Sequence, residues 1–465
     1  MRKFDIKSWM LKAGRIWTFG GFALMLSVPA FAGDGSCCTG PACTDCNDCA
    51  KIYADAAEKL KNLEVPCCTT GCCSTDSCGV GCCGSSCGCD GGPCFSLMDA
   101  FDNECGGNWM EDNGLSFTGW VEAGITFNPE QSNNNQPVGF NNRANDLMLN
   151  QLYFILSKDA AANECEFGWG GQIDFLFGHD SDDTSTFGGR DGSWDNDWTD
   201  NSDGDIDNMG IAMPQIYASF YAPIGNGVTV DVGHFYTIIG YEVVPATGNF
   251  FYSHAYTMQF GEPFTHTGIK ANTDLTDNIN VTAGIVTGWD DWENEYTSNS
   301  FLGGVTWTSD SEATSVAFAI ISGDEINFSG NDESHRNMYS IVVTQALSDK
   351  LTYVFQHDRG SQNGLVAGEQ QSEWYGINQY LFYDLDCKNR VGLNYEWFRD
   401  DDGSQLGNGA ANYYVLRAGL NHKLYECVTV RPEVRWDWAD NGARPYDNGE
   451  DGSQFTFGTD VIWTY

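Results

Sequence analysis

The chain has 465 residues, with 23 basic against 64 acidic side chains and a formal net charge of −41. So acidic a chain has little with which to neutralise phosphates, which excludes nucleic acid as a partner. No stretch after the first thirty-odd residues approaches the roughly 20 apolar residues of a membrane helix, so a membrane role would have to be carried by strands.

Arg2, Lys3, Lys7, Lys12 and Arg15 make a basic start, followed by a short apolar stretch, 16–28, and then Ala30-Phe31-Ala32. That order predicts a secretory signal over 1–32, with the mature chain starting at Gly33. A retained anchor would need a longer apolar run, and no cysteine follows the cleavage position as a lipoprotein would require. Without the leader, 18 basic side chains face 63 acidic ones.

Residues 33–110 form a cysteine-rich segment. Sixteen of the 19 cysteines lie there: Cys37, Cys38, Cys43, Cys46, Cys49, Cys67, Cys68, Cys72, Cys73, Cys78, Cys82, Cys83, Cys87, Cys89, Cys94 and Cys105. Gly, Ser and Thr fill the gaps, and only 50–63 has the composition of a helix. Such a segment cannot build an apolar core, so it must be stapled, metal-bound or without a fold. Export to an oxidising compartment favours disulfides, within the chain or to neighbours. The dense Cys-Cys and Cys-x-x-Cys spacing would also suit soft metals, so metal occupancy stays open. No histidine lies in 33–105, which excludes Cys-x-x-Cys-His haem attachment.

From Leu115 onward, Val, Ile, Phe, Tyr, Trp and Thr recur with period two, the mark of strands with one apolar face. In 455–465, Phe455, Phe457, Val461, Trp463 and Tyr465 share one face; Thr456, Gly458, Asp460 and Thr464 share the other, with Ile462 as the exception. In 428–438, Val428, Val430, Val434, Trp436 and Trp438 oppose Thr429, Arg431, Glu433, Arg435 and Asp437. About sixteen strands are expected, near 115–127, 146–157, 164–178, 209–221, 228–238, 264–274, 279–289, 299–308, 313–322, 337–347, 351–359, 373–385, 389–399, 412–422, 427–438 and 454–465. Long connections (128–145, 179–208, 239–263, 323–336, 360–372, 400–411, 439–453) alternate with short ones (158–163, 222–227, 275–278, 309–312, 348–350, 386–388, 423–426). Short periplasmic turns and long outer loops are the habit of outer-membrane barrels; a soluble sandwich has no reason for such alternation. The expected fold is therefore all-β: an antiparallel transmembrane barrel over 111–465, preceded by the cysteine-rich segment in the periplasm. Outer-membrane lipid is its first partner. Cys165, Cys387 and Cys427 all fall at short turns, on that same periplasmic side.

Several stretches resemble the OmpL-like β-barrel porin family, frequent in planctomycetes and related bacteria. They are 119–129, 149–153, 171–180 and the longest group, Gly233 to Tyr236, Gly240 to Glu242, Asn249 to His254 and Pro263 to Gly268. The likeness covers about 115–465 and implies an outer-membrane barrel with pore activity, but no substrate. The terminal Tyr465 is similar to the assembly signal of outer-membrane proteins.

A barrel of this strand number leaves an aqueous channel, so inward residues become candidates for function. Arg417, Arg431, Glu433, Arg435 and Asp437 fall on the polar faces of neighbouring strands. They read either as a charged pore wall that biases solutes or as charges that satisfy one another. The connection 239–263 is poor in acids and carries Tyr241, Glu242, Phe250, Phe251, Tyr252 and His254, besides Tyr256 and Phe260. So many aromatics should not lie free in water. The loop is expected to fold into the lumen and constrict it, as the third loop does in porins generally; packing between outer loops or subunits is the alternative. Asp203-Gly204-Asp205-Ile206-Asp207 resembles only a fragment of a calcium loop and reads as solvated loop acids.

No Gly-x-Ser-x-Gly elbow, His-Glu-x-x-His helix or phosphate loop is present, so neither an enzyme nor a cofactor is expected. The expected function is passive diffusion of small polar solutes and ions, alone or as a homo-oligomer. A structural envelope protein, disulfide-linked to neighbours, and a metal-binding front segment are the alternatives. The acidic outer loops should give a modest cation preference at low salt, opposed by the arginines within.

Overall fold

In a computed structural model the described residues are 94–465, apart from 103–107, 131–133, 187–194, 196–208, 293–298, 327–332 and 367–370. The expected leader, the candidate helix 50–63, the acids Asp203 to Asp207 and every clustered cysteine except Cys94 lie outside the described residues.

Sixteen strands follow one another: β1 (Leu115–Phe127), β2 (Leu147–Lys158), β3 (Gly168–Gly178), β4 (Gly210–Ala222), β5 (Val228–Tyr236), β6 (Thr265–Thr276), β7 (Ile279–Val286), β8 (Ser300–Thr308), β9 (Thr314–Ile326), β10 (Glu333–Ser348), β11 (Leu351–Asn363), β12 (Gln371–Asp384), β13 (Asn389–Asp400), β14 (Ala411–Tyr425), β15 (Val428–Ala439) and β16 (Ser453–Thr464). Each pairs antiparallel with its sequence neighbours, and β1 closes the barrel on β16 from Trp120 opposite Thr464 to Phe127 opposite Phe457. Closure removes the two edges that an open sheet would expose.

The period-two pattern decides which face each side chain takes. On β15, Arg431, Glu433, Arg435 and Asp437 are buried inside, whereas Val434 and Trp436 are exposed outside. Ile462, the apolar exception on β16, points inward and packs with Trp120 and Tyr153. It breaks the alternation because the lumen beside it is apolar, not aqueous.

Two outer connections are shorter than the sequence pattern implied. β9 runs to Ile326, β10 starts at Glu333 and β11 extends to Asn363, so the expected loops 323–336 and 360–372 shrink to 327–332 and 364–370. Apolar alternation stops where the outward face becomes polar, but the ladder continues: Gly323 opposes Arg336 and Ser361 opposes Asn337. Backbone pairing does not need an apolar face once a register exists.

Ahead of β1, a turn of 3-10 helix (Leu97–Phe101) and a short helix α1 (Trp109–Asp112) fold back on the barrel. Cys94 is disulfide-bonded to Cys427 in the β14–β15 turn. Beside it, Phe95 stacks on Tyr465 and packs edge-on against Trp463. The chain reaches from β1 across the end of β16 to the turn before β15, spanning the closing seam.

Candidate functional site

The connection between β5 and β6 folds into the barrel. It carries a short helix, α2 (Tyr256–Gly261), whose residues Tyr256, Thr257, Met258 and Gly261 are buried. Each of the four apolar clusters of the interior holds at least one of its residues. Val244 joins Trp120, Tyr153 and Leu176; Tyr256 joins Trp374, Phe398 and Tyr413; Ile239 joins Phe235 and Leu302; Phe251 joins Tyr380 and Phe382. Burying an aromatic side chain is worth about 1.5–3 kcal/mol, so this loop is held as a core element is held.

A loop inside a barrel must find partners for its own backbone polar groups. Here the wall supplies them, carboxylates to the N–H groups and guanidinium groups to the carbonyls. Tyr252 N–H donates to Glu433 at 3.0 Å, and Ser253 N–H donates to the same carboxylate. Tyr256 and Thr257 N–H donate to Glu396 at 2.9 and 2.6 Å. Arg417 donates to the Ser253 carbonyl, Arg435 to that of His254 at 2.6 Å, and Arg431 to those of Ala246 and Asn249 at 3.0 and 2.8 Å. The arginines are held in turn: Arg417 by Glu242, Arg431 by Glu122 and Asp460, Arg435 by Asp437.

Glu242 brings the pattern together. It lies 7% exposed on the loop and faces Arg417, Tyr380 Oη at 2.9 Å, Ala255 N–H at 2.8 Å and His254 at 3.5 Å. Burial pushes its carboxyl up, but the Arg417 guanidinium, His254 and the Ala255 amide outweigh that and hold it well below the usual range. At the loop's far end, burial and the neighbouring Asp358 carboxylate push Glu262 well up.

Glycines on the inward face make room. A side chain on Gly124 would meet the Tyr252 ring at 2.6 Å, on Gly376 the Thr257 hydroxyl at 2.5 Å and on Gly419 the Phe251 ring at 3.2 Å; on Gly392 it would collide with Phe250. These positions lie on β1, β12, β14 and β13, so the loop beds into a glycine-floored trough.

The structure thus brings together both groups of residues singled out in the sequence. Arg417, Arg431, Glu433, Arg435 and Asp437 are at most 4% exposed and lie under the loop rather than open to the lumen. Of the loop residues, Glu242, Phe251, Tyr252 and His254 are buried; Tyr241 and Phe250 are half-buried, against Tyr380 and Phe382. Sequence reading missed Glu122, Glu396 and Asp460, the inward glycines, and Gln151, which binds the Val244 carbonyl and the Ala246 N–H. The available signal was charge or glycine recurring at inward positions of adjacent strands.

Two further outer connections dock onto the same structure. A helical turn (Asp180–Thr184) places Asp180 against Asn150 and Gln151 at 2.8 Å each. Asp183 takes the Phe140 N–H at 2.7 Å. Burial pushes the two carboxyls up to about 7 and about 6. The wall from β6 to β10 is treated differently. Its inward Asn272, Asn280, Thr282, Thr306, Ser315 and Thr344 are small, uncharged and half-buried. Lys270 of β6 pairs with Asp231 of β5 at 3.5 Å.

The family model described as "Putative beta-barrel porin-2, OmpL-like" matches residues 114–465. No curated protein matches the chain. Among solved structures, the chain is similar to an anion-selective porin from Comamonas acidovorans, at 9% identity and TM-score 0.53, over 76% of this chain and 99% of that one. It is similar also to Salmonella typhi OmpF in complex with daunomycin, at 12% identity and TM-score 0.52, over 76% and 99%. A third is the outer membrane channel DcaP of Acinetobacter baumannii, at 11% identity and TM-score 0.50, over 78% and 99%. At such identities the likeness is one of fold. The family match, the closed sixteen-strand barrel and its outward apolar face together establish that the chain belongs to the OmpL-like β-barrel porin-2 family of the bacterial outer membrane.

Proposed function

We propose that the protein is a passive diffusion channel for small polar solutes and ions, with an aperture set by the docked β5–β6 loop. The observation that carries this reading is one-sided polar docking. The loop's hydrogen bonds to the wall go to β2 and β11–β15; apart from the apolar patch where Ile239 packs against Leu302, Ala319 and Met338, this leaves the small polar faces of β6–β10 as the wall of a path. Polar walls of that kind pass hydrated solutes without binding them tightly. The arginines then shape the path by holding the loop, and the acidic outer connections set the charge at the mouth. Purified protein in planar bilayers should give stepwise conductance, and deleting 243–260 should raise the unit step several-fold. A folded barrel that never conducts, with or without the loop, would remove this reading. A homo-oligomer is the expected assembly, readable from its mass in detergent.

A second reading is structural. Cys94 ties the cysteine-rich segment to the rim of short turns, and Cys387 lies exposed at the β12–β13 turn of the same rim. In this reading residues 33–110 lie in the periplasm, cross-linked to neighbours or holding a soft metal. Gels with and without reductant test the cross-links; a thiol count with elemental analysis tests the metal. Monomer migration in both lanes would count against cross-linking.

A further inference from the structure

A cleft of about 350 Å³ opens at the outer end of the barrel, between the return of the docked loop, the β7–β8 connection and the tops of β9 and β10. It takes no part in holding the loop's inner half. Arg336 lines it, with its guanidinium 4.8 Å from the Trp289 ring. Among the described residues Arg336 forms no ion pair, and only its Nε is engaged, by Gln362. That sets it apart from Arg417, Arg431 and Arg435, each paired to a carboxylate. Acceptors face it. Asp290 takes the Phe264 and Thr265 N–H groups on one oxygen, and Glu325 takes the Trp289 N–H on one oxygen. The second oxygen of each carboxylate has no partner among the described residues. Phe260 and Trp289 are half-buried and present apolar surface to the cleft.

We infer that this cleft is a solute subsite for a neutral saccharide of one or two rings, on the way to the path along β6–β10. The inference rests on the channel reading for its purpose, but not for its chemistry. Free donors on a planar guanidinium and free acceptors on two carboxylates bracket hydroxyl groups from both sides. Aromatic surface suits the C–H faces of a pyranose. Four carboxyls line the cleft, Glu262, Asp290, Asp291 and Glu325, and they disfavour an anion. Burial pushes Glu262 well up and Asp290 to about 7, which together with the Arg336 charge weakens the pull on a simple cation, so a neutral polyol fits best. The volume lies at the small end of the roughly 300–1,000 Å³ of ligand pockets.

The test uses the full folded chain in detergent and maltose as probe, followed by saturation-transfer NMR, with maltose block of current measured in parallel. Saturable binding is expected, with half-saturation raised about tenfold in Arg336→Gln and in Trp289→Ala, the scale of one lost polar or stacking contact. Glucuronate and glucosamine should bind more weakly than maltose. If Arg336→Gln fails to fold, Gln405→Ala, on the rim of the cleft, carries the same comparison with a shift of about threefold, since the net worth of one hydrogen bond is small. A protein that conducts yet shows no saturable maltose binding overturns the subsite and leaves the channel. Glucuronate or glucosamine binding more tightly than maltose overturns the neutral-saccharide assignment. Maltose binding by a barrel that never conducts would uphold the site and sink the channel.

Discussion

Glu242 and Arg417, 175 residues apart in sequence, form an ion pair inside the barrel with side chains 6% and 0% exposed. The pair joins loop to wall, so removing one partner strands a buried charge. Arg417→Gln should destabilise the docked loop by about 3–5 kcal/mol, and Glu242→Gln by a similar amount. The double variant should cost less than the two single changes combined, because neither charge is left alone. The measurement is the cleavage rate of the loop by added protease, with conductance noise alongside. Additive effects would show that the pair is not coupled.

Gly124 on β1 and the Tyr252 ring are complementary in shape: a Cβ at 124 would sit 2.6 Å from the ring. Gly124→Val should expel Tyr252 from its contact with Asn150, 2.9 Å away, while the strand itself tolerates valine. The expected readout is a larger and less uniform unit conductance in a barrel of unchanged gel mobility. Unchanged conductance would mean that the loop has slack.

The anchors should differ in their response to pH. Burial raises Asp180 and Asp183 to about 7 and about 6, and raises Asp290, in the β7–β8 connection, to about 7. A raised carboxyl gives stability that is complete below its unfolded value near 4 and is lost as pH rises through the folded value. The outer connections should therefore loosen between pH 5 and 8. Glu242 is shifted the other way, so its contribution is present above about pH 4.5 and fades only in strong acid. Hydrogen exchange should quicken at 139–141 and 180–184 from pH 5 to 8, after correction for intrinsic rates, and stay slow at 250–257. Loosening of 250–257 over that range would contradict the assignment.

The disulfide from Cys94 to Cys427 crosses the β1–β16 seam, and Phe95 sits between Trp463 and Tyr465 beside it. Reduction, or Cys427→Ser, should remove about 2–4 kcal/mol of stability. The temperature at which the compact gel form is lost should fall, with Phe95→Ala giving a smaller drop. An unchanged transition on reduction would show that the strand ladder alone secures the seam.

Selectivity follows from burial. Because Arg431 and Arg435 are covered and paired, replacing both by Gln should change step size and noise more than ion preference. The acidic connections are screened within about 8 Å at physiological salt, so reversal potentials should show a modest cation preference that fades as salt rises. A persistent anion preference would show that the arginines still reach the path.

What the sequence determined by itself was the barrel. Strand identity needs only period-two alternation and chain direction needs only turn lengths, and both are local properties, legible at Val434 and Trp436 against Arg435 and Asp437. The aromatic excess of 239–263 announced a packed loop for the same reason: apolar surface must be covered wherever it lies. What the wall charges meet was decided only by tertiary structure. Alternation places Arg417, Arg431 and Glu433 inside, but says nothing about whether water or backbone waits there. That depends on a loop whose partners lie 164 to 185 residues away, and on inward glycines such as Gly392 and Gly419 that become a trough only when strands stand side by side. The strand ends at Ile326 and Glu333 escaped notice for a related reason: hydrogen bonding extends a ladder past the point where side-chain pattern marks it. Local chemistry selects faces and elements; which buried charge meets which carbonyl is settled by contacts that no local pattern encodes.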